Sequence, residues 1–127
     1  MSYYFSKTLN VTFDEAIEKV TEALKTEGFG VVTDFNVSNA LKNKLGIDFR
    51  PYRIMGACNP PFALEALTAD DKIGTMLPCN VILQEKENGV EVAAIDPAAS
   101  MTAVDNSEIK KIAEKIKAKL KNVIDSL

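Results

Sequence analysis

Asn88-Gly89 stands between two short apolar runs, Val81 to Glu87 and Val90 to Asp96. No other dipeptide constrains this chain as much. Asn-Gly favours the positive φ angles of a tight type I′ turn, and apolar residues on both sides complete a β-hairpin. An antiparallel pair near the end excludes a purely parallel, doubly wound sheet. With two residues in the turn, paired residue numbers sum to 177, so Lys86 is expected to face Glu91 and Ile82 to face Ile95. The first is a charge pair and the second is read as a core pair.

The elements before the hairpin alternate between strand and helix. Residues 3–9 are aromatic and β-branched enough for a strand. Thr12-Phe13-Asp14-Glu15 has the form of a capping box. Phe13, Ile17, Val20 and Leu24 then give a helix one apolar face, and Gly28 ends it. Residues 29–35 read as a second strand. Asn39 to Leu45 reads as a short helix stopped by Gly46, and Tyr52 to Cys58 as a third strand. Asn59 is a strong N-cap type and Pro60 suits a first turn, so residues 60–69 form a helix packed through Phe62, Ala66 and Leu67. After the hairpin, Asp105 is read as opening a final helix. Its stripe is Ile109, Ile112, Ile116, Leu120, Val123 and Leu127, with lysines on the opposite side.

The predicted order is β-α-β-(short α)-β-α-β-β-α. That is an α+β fold: a two-layer sandwich with a mixed or largely antiparallel sheet covered by helices. Parallel packing of the first two strands would make the opening unit a right-handed crossover. With 127 residues, the whole span 1–127 is expected to be a single domain. Hydrophobic residues at 46% support a packed core without a disulfide or metal staple.

Composition excludes several functions. The chain has no histidine. That removes the usual general base near neutral pH, every Ser-His-Asp and Cys-His arrangement, and the commonest metal ligand. Net charge is −3, and residues 107–127 hold six lysines against Glu108, Glu114 and Asp125. The remainder is therefore acidic, which argues against nucleic acid as a partner. The terminal lysines are read as a solvated helix face. No run is long and apolar enough for a transmembrane helix, and Met1 to Lys7 lacks a signal-peptide core. Two cysteines are too few for a disulfide framework, so a cytoplasmic location with reduced thiols is expected.

Two stretches carry the unusual chemistry, Tyr52 to Pro61 and Leu77 to Val81. Cys58 precedes the expected N-cap Asn59 and Pro60. Unpaired N–H groups at a helix start favour a thiolate, and Arg53 would add to this if it reached the same end. Cys79 and Asn80 follow Pro78 into a strand. Cys58, Asn59, Pro60, Cys79, Asn80 and Arg53 are therefore the candidate ligand or thiol-site residues. Cys58 and Cys79 also read as small buried hydrophobes, Asn59 as a cap, and Asp96 before Pro97 as a turn residue. Cys58, Cys79, Met55, Met76 and Met101 are soft ligands suited to Cu(I), although two cysteines cannot close a zinc site and no metal site is assigned.

A strand closing on Gly56-Ala57-Cys58-Asn59-Pro60, then Leu77-Pro78-Cys79-Asn80-Val81, then Asp96-Pro97 before Met101, resembles a bacterial and archaeal family. It is the family labelled domain of unknown function 302, and the resemblance spans nearly the whole chain. It implies a compact α+β homodimer whose biochemical role is not established, and it assigns no catalytic residue.

The function expected first is therefore a non-enzymatic ligand-binding or interaction module. It would be homodimeric and able to take a small molecule at the Cys58–Pro61 turn, with neither nucleic acid nor membrane as partner. A thiol-based redox or sulfur-handling protein using Cys58 with Cys79 is the alternative. A soft-metal binder is the third. The identity of any cofactor is left unknown.

Overall fold

A computed structural model describes residues 2–127. Five strands form one sheet in the order β1-β5-β4-β3-β2, and every neighbouring pair is antiparallel. In chain order the elements are β1 (Tyr4–Leu9), α1 (Phe13–Thr26), β2 (Gly30–Asn36), α2 (Val37–Leu45), β3 (Tyr52–Cys58) and α3 (Pro60–Ala69). A 3₁₀ turn (Ile73–Met76), β4 (Cys79–Lys86), β5 (Gly89–Ile95), α4 (Pro97–Ser100) and α5 (Ser107–Ser126) follow. The α+β architecture expected from the sequence is what the chain forms. Its sheet is wholly antiparallel, and β1 and β2 hold opposite edges, so the opening unit is not a crossover between neighbours.

Local chemistry explains the element ends. The capping box at α1 is complete: Glu15 N–H donates to Thr12 Oγ1 at 3.2 Å, and Thr12 N–H to Glu15 Oε1 at 3.3 Å. At its other end Gly28 takes φ 85°. This lets Gly28 N–H reach Lys25 O and Phe29 N–H reach Leu24 O, a Schellman closure. The last helix starts one residue later than expected. Asn106, not Asp105, is its cap, accepting from Glu108 and Ile109 N–H at 3.0 and 3.3 Å. The same amide donates to Ala69 O at 3.2 Å and so ties the end of α3 to the start of α5.

Helices α1 and α5 lie across one face of the sheet, and α3 and α4 pack on α5. The core between these layers includes Val20, Leu24, Met55, Val81, Leu83, Val92 and Leu120. Alternation puts Tyr4, Ile54, Ile82 and Ile95 on the other face, where side chains are exposed or half-buried. A shallow depression there is lined by Tyr3, Tyr4, Tyr52, Asn80 and Ile82 among others.

The hairpin departs from its expected register. Paired numbers sum to 175: Lys86 meets Gly89, Gln84 meets Glu91, and Ile82 meets Ala93. The turn is Glu87-Asn88, and neither residue has positive φ. Gly89 instead carries φ 135° as a strand residue, packed against Leu9 O of β1. Lys86 still pairs with Glu91, diagonally, at 3.4 Å. The expected Ile82–Ile95 core pair is corrected as well. Both lie on the face opposite α1 and α5, and Val81 and Leu83 fill the core instead.

Candidate functional site

At the end of the sheet where β3 leaves and β4 enters, the core is not closed. A cavity of about 290 Å³ lies there among α3, α5 and the sheet. Phe29, Phe62, Ala66, Leu77, Met101 and Ile112 give the character of its wall. Val32 and Leu67 also line it and are 60% and 43% exposed, which marks the mouth. The only wall residues with a polar side chain or a thiol are Cys58, Asn59 and Cys79.

The cavity exists because of how three segments meet. The bulge between Val31 and Thr33 bends β2 beside the mouth. Pro60 and Pro61 start α3 directly after β3, turning the chain away from the sheet. Along α3, Phe62, Ala63, Ala66 and Leu67 line the cavity, while Leu64 points out at 69% exposure. The two alanines leave space that larger side chains at those positions would fill.

The six candidate residues fall in four places. Cys58, Asn59 and Cys79 share the cavity wall. Ala57 is the cross-strand partner of Cys79, which sets Cys58 one residue along from it. Pro60 is exposed at the first turn of α3 and is absent from the wall. Asn80 is exposed and lies by the depression on the other face. Arg53 belongs to neither place. It makes a bidentate pair with Asp34, Nε to Oδ1 at 2.8 Å and an Nη to Oδ2 at 2.6 Å. The pair's hydrogen bonds hold the Asp34 carboxyl below its ordinary range and raise the Arg53 guanidinium above its own. Five residues of strand, about 16 Å, separate Arg53 from Cys58. Among the soft ligands, Met101 joins the two thiols on the wall, Met55 is buried outside it, and Met76 is 41% exposed.

Asn59 holds the N-cap position of α3, but its side chain makes no cap bond. Pro60 and Pro61 have no N–H to offer. The amide instead donates from Nδ2 to Glu27 O at 3.1 Å, fastening the end of α1 to the start of α3. The same two prolines remove the nearest donors from the N-terminal field expected to act on Cys58.

The thiols differ in surroundings. Burial pushes the Cys79 thiol up to about 11, and charge on Cys58 opposes its ionisation further. Cys58 is half-buried and Cys79 buried. In the folded protein at neutral pH, iodoacetamide is expected to alkylate Cys58 well before Cys79. Cys79 should label at speed only in denaturant. Peptide mass spectrometry reads the order, and equal rates in the folded state would contradict it.

Of the wall residues from the second half of the chain, Met101 is a soft-ligand candidate in the sequence, whereas Ile109, Ile112 and Ile116 read only as the packed stripe of the final helix. The missing information was the unfilled space between them and α3, which has no linear signature.

Fold and site together define a two-layer α+β domain with an apolar cavity at one end of an antiparallel sheet, bordered by two thiols and one amide. The chain belongs to the family described as domain of unknown function DUF302, whose model matches residues 5–127. The fold is similar to the crystal structure of an uncharacterized conserved protein DUF302 from Bacillus stearothermophilus. That similarity has TM-score 0.91 and 28% sequence identity, and it covers 98% of each chain. No curated protein matches the chain significantly. Among the described residues, no helix is long and apolar enough to cross a membrane.

Proposed function

We propose that this protein is a non-enzymatic binding module that takes a compact apolar small molecule into the cavity beside Cys58 and Asn59. The observation that carries this is the cavity itself, about 290 Å³ with an apolar wall. A concave, mostly apolar site with few polar groups is the usual form of a small-molecule pocket. Indene, a compact hydrocarbon, tests the reading. It should cause saturable NMR shifts at the Met101 and Ile112 methyls, with a dissociation constant on the order of 0.1 mM. Replacing Ala66, which is 5% exposed on the wall, by Leu should abolish these shifts while the protein stays folded. An absence of saturable shifts in the parent protein would sink the proposal.

A second reading draws on the thiols sharing that wall. Cys58 would act as the reactive sulfur of a redox or sulfur-handling protein, with Cys79 as its partner. The alkylation order above bears on it directly, because two slow cysteines would leave it without a reactive group. Reduced thiols accord with a cytoplasmic location.

The protein is further proposed to be a homodimer through the sheet face opposite α1 and α5. Tyr4 and Phe35 are 43% and 52% exposed there, and Ile82 is half-buried near its centre. Contiguous apolar side chains on an otherwise open face mark an association surface. Light scattering at micromolar concentration should return twice the chain mass, and Ile82→Lys should halve it. A parent protein at one chain mass over a wide concentration range would rule the dimer out.

A further inference from the structure

We infer that the cavity's ligand is a neutral, bicyclic-sized molecule presenting one hydrogen-bond donor to Asn59 Oδ1. This rests on the cavity reading above and adds the chemistry of its polar end. Asn59 is 8% exposed, and Glu27 O, which can only accept, fixes the orientation of its amide. Nδ2 must point at Glu27, so Oδ1 is the free atom. Oδ1 accepts from no donor among the described residues: the cap bond is missing, and Pro60 and Pro61 carry no N–H. No fully buried side-chain oxygen or nitrogen lacks a partner among the described residues, so Oδ1 retains contact with accessible space. Asn59 is also a wall residue of the cavity.

Water entering at the mouth satisfies this acceptor in the empty pocket, and a ligand that displaces the water must bring its own donor. A ligand that covers Oδ1 without one leaves the bond unmade, at about 1–3 kcal/mol. The wall holds no Lys, Arg, Asp or Glu, so it favours neither a carboxylate nor an ammonium group. Size adds a constraint. A dry cavity of roughly 150 Å³ accommodates benzene, and this one is about 290 Å³. The ligand is therefore a fused-ring-sized hydrocarbon body with a single N–H or O–H at one end.

Indole and indene share a shape and differ in the ring N–H. Titrated separately into the parent protein and followed by methyl NMR, indole should bind about fivefold more tightly, the factor one net hydrogen bond supplies. The Asn59 side-chain carbonyl resonance should move with indole and not with indene. In Asn59→Leu the preference should vanish or reverse, because the indole N–H would then be buried without an acceptor. Equal or tighter binding of indene to the parent protein would overturn the inference and leave the cavity reading standing. If neither molecule binds, the cavity reading fails and the inference fails with it. The parent-protein ratio and the carbonyl resonance decide the matter even if Asn59→Leu, having lost its tie to Glu27, does not fold.

Discussion

A chain ending before Ser107 is expected to lose cooperative melting altogether and to become insoluble or molten. Helix α5 buries Ile109, Ile112, Ala113, Ile116, Leu120, Val123 and Ile124. Its six large apolar side chains contribute on the order of 9–18 kcal/mol at roughly 1.5–3 kcal/mol each, as much as the whole net stability of a typical domain. The helix also contacts β1, β5, α1, α3 and α4, so no other element can close over the sheet in its place. Leu120→Ala is the milder test. Leu120 is fully buried, so this change should cost about 2–5 kcal/mol. Calorimetry of the truncated chain would refute the expectation by giving a sharp transition near the parent temperature.

Gly89→Ala should be strongly destabilising although the position lies outside the core. Gly89 has φ 135°, and a Cβ there would collide with the carbonyl oxygen of Leu9. Backbone strain of this kind costs about 1–3 kcal/mol. The obstacle is main chain, which cannot swing aside as a side chain can, so the end of β1 must move too. A loss of about 3 kcal/mol would lower Tm by roughly 10 °C for a chain this long. Gly30→Ala provides the control, because its added Cβ meets nothing within 4 Å. Equal melting of the two variants would show that the close approach to Leu9 carries no weight.

Gly89 also shows where reading the sequence stops. Asn88-Gly89 announces a hairpin correctly, because local turn chemistry is written in adjacent residues. The two-residue shift in pairing depends on Leu9, far away in the chain, and nothing near the turn records it. The shift is even, so every side chain keeps its face. The misassignment of Ile82 to the core has a different origin. Val81, Ile82 and Leu83 are all apolar, so alternation cannot say which face the helices cover. Helix limits fared better where stops are local: α3 spans Pro60–Ala69 and α2 ends at Gly46, as their prolines and glycine imply. Cys58, Asn59 and Cys79 stood out by composition, and they do share a wall. Arg53 and Asn80 stood out equally and lie elsewhere, because a strand carries neighbours to opposite faces and distant ends.

The sheet order has a consequence for how the chain reaches this state. The first strand has a single neighbour, β5, and Tyr4 pairs with Ile95 across most of the chain's length. During synthesis β1 must therefore wait without a hydrogen-bonding partner while β2, β3 and β4 emerge and zip into a meander. Loop closure over such a span is slow relative to local hairpins. The β2–β3–β4 meander, completed by the β4–β5 hairpin, is thus the natural nucleus, and β1 docks last, as α5 arrives to cover it. In pulse-labelling hydrogen exchange, the amides of Phe5 to Leu9 should gain protection after those of β3 and β4.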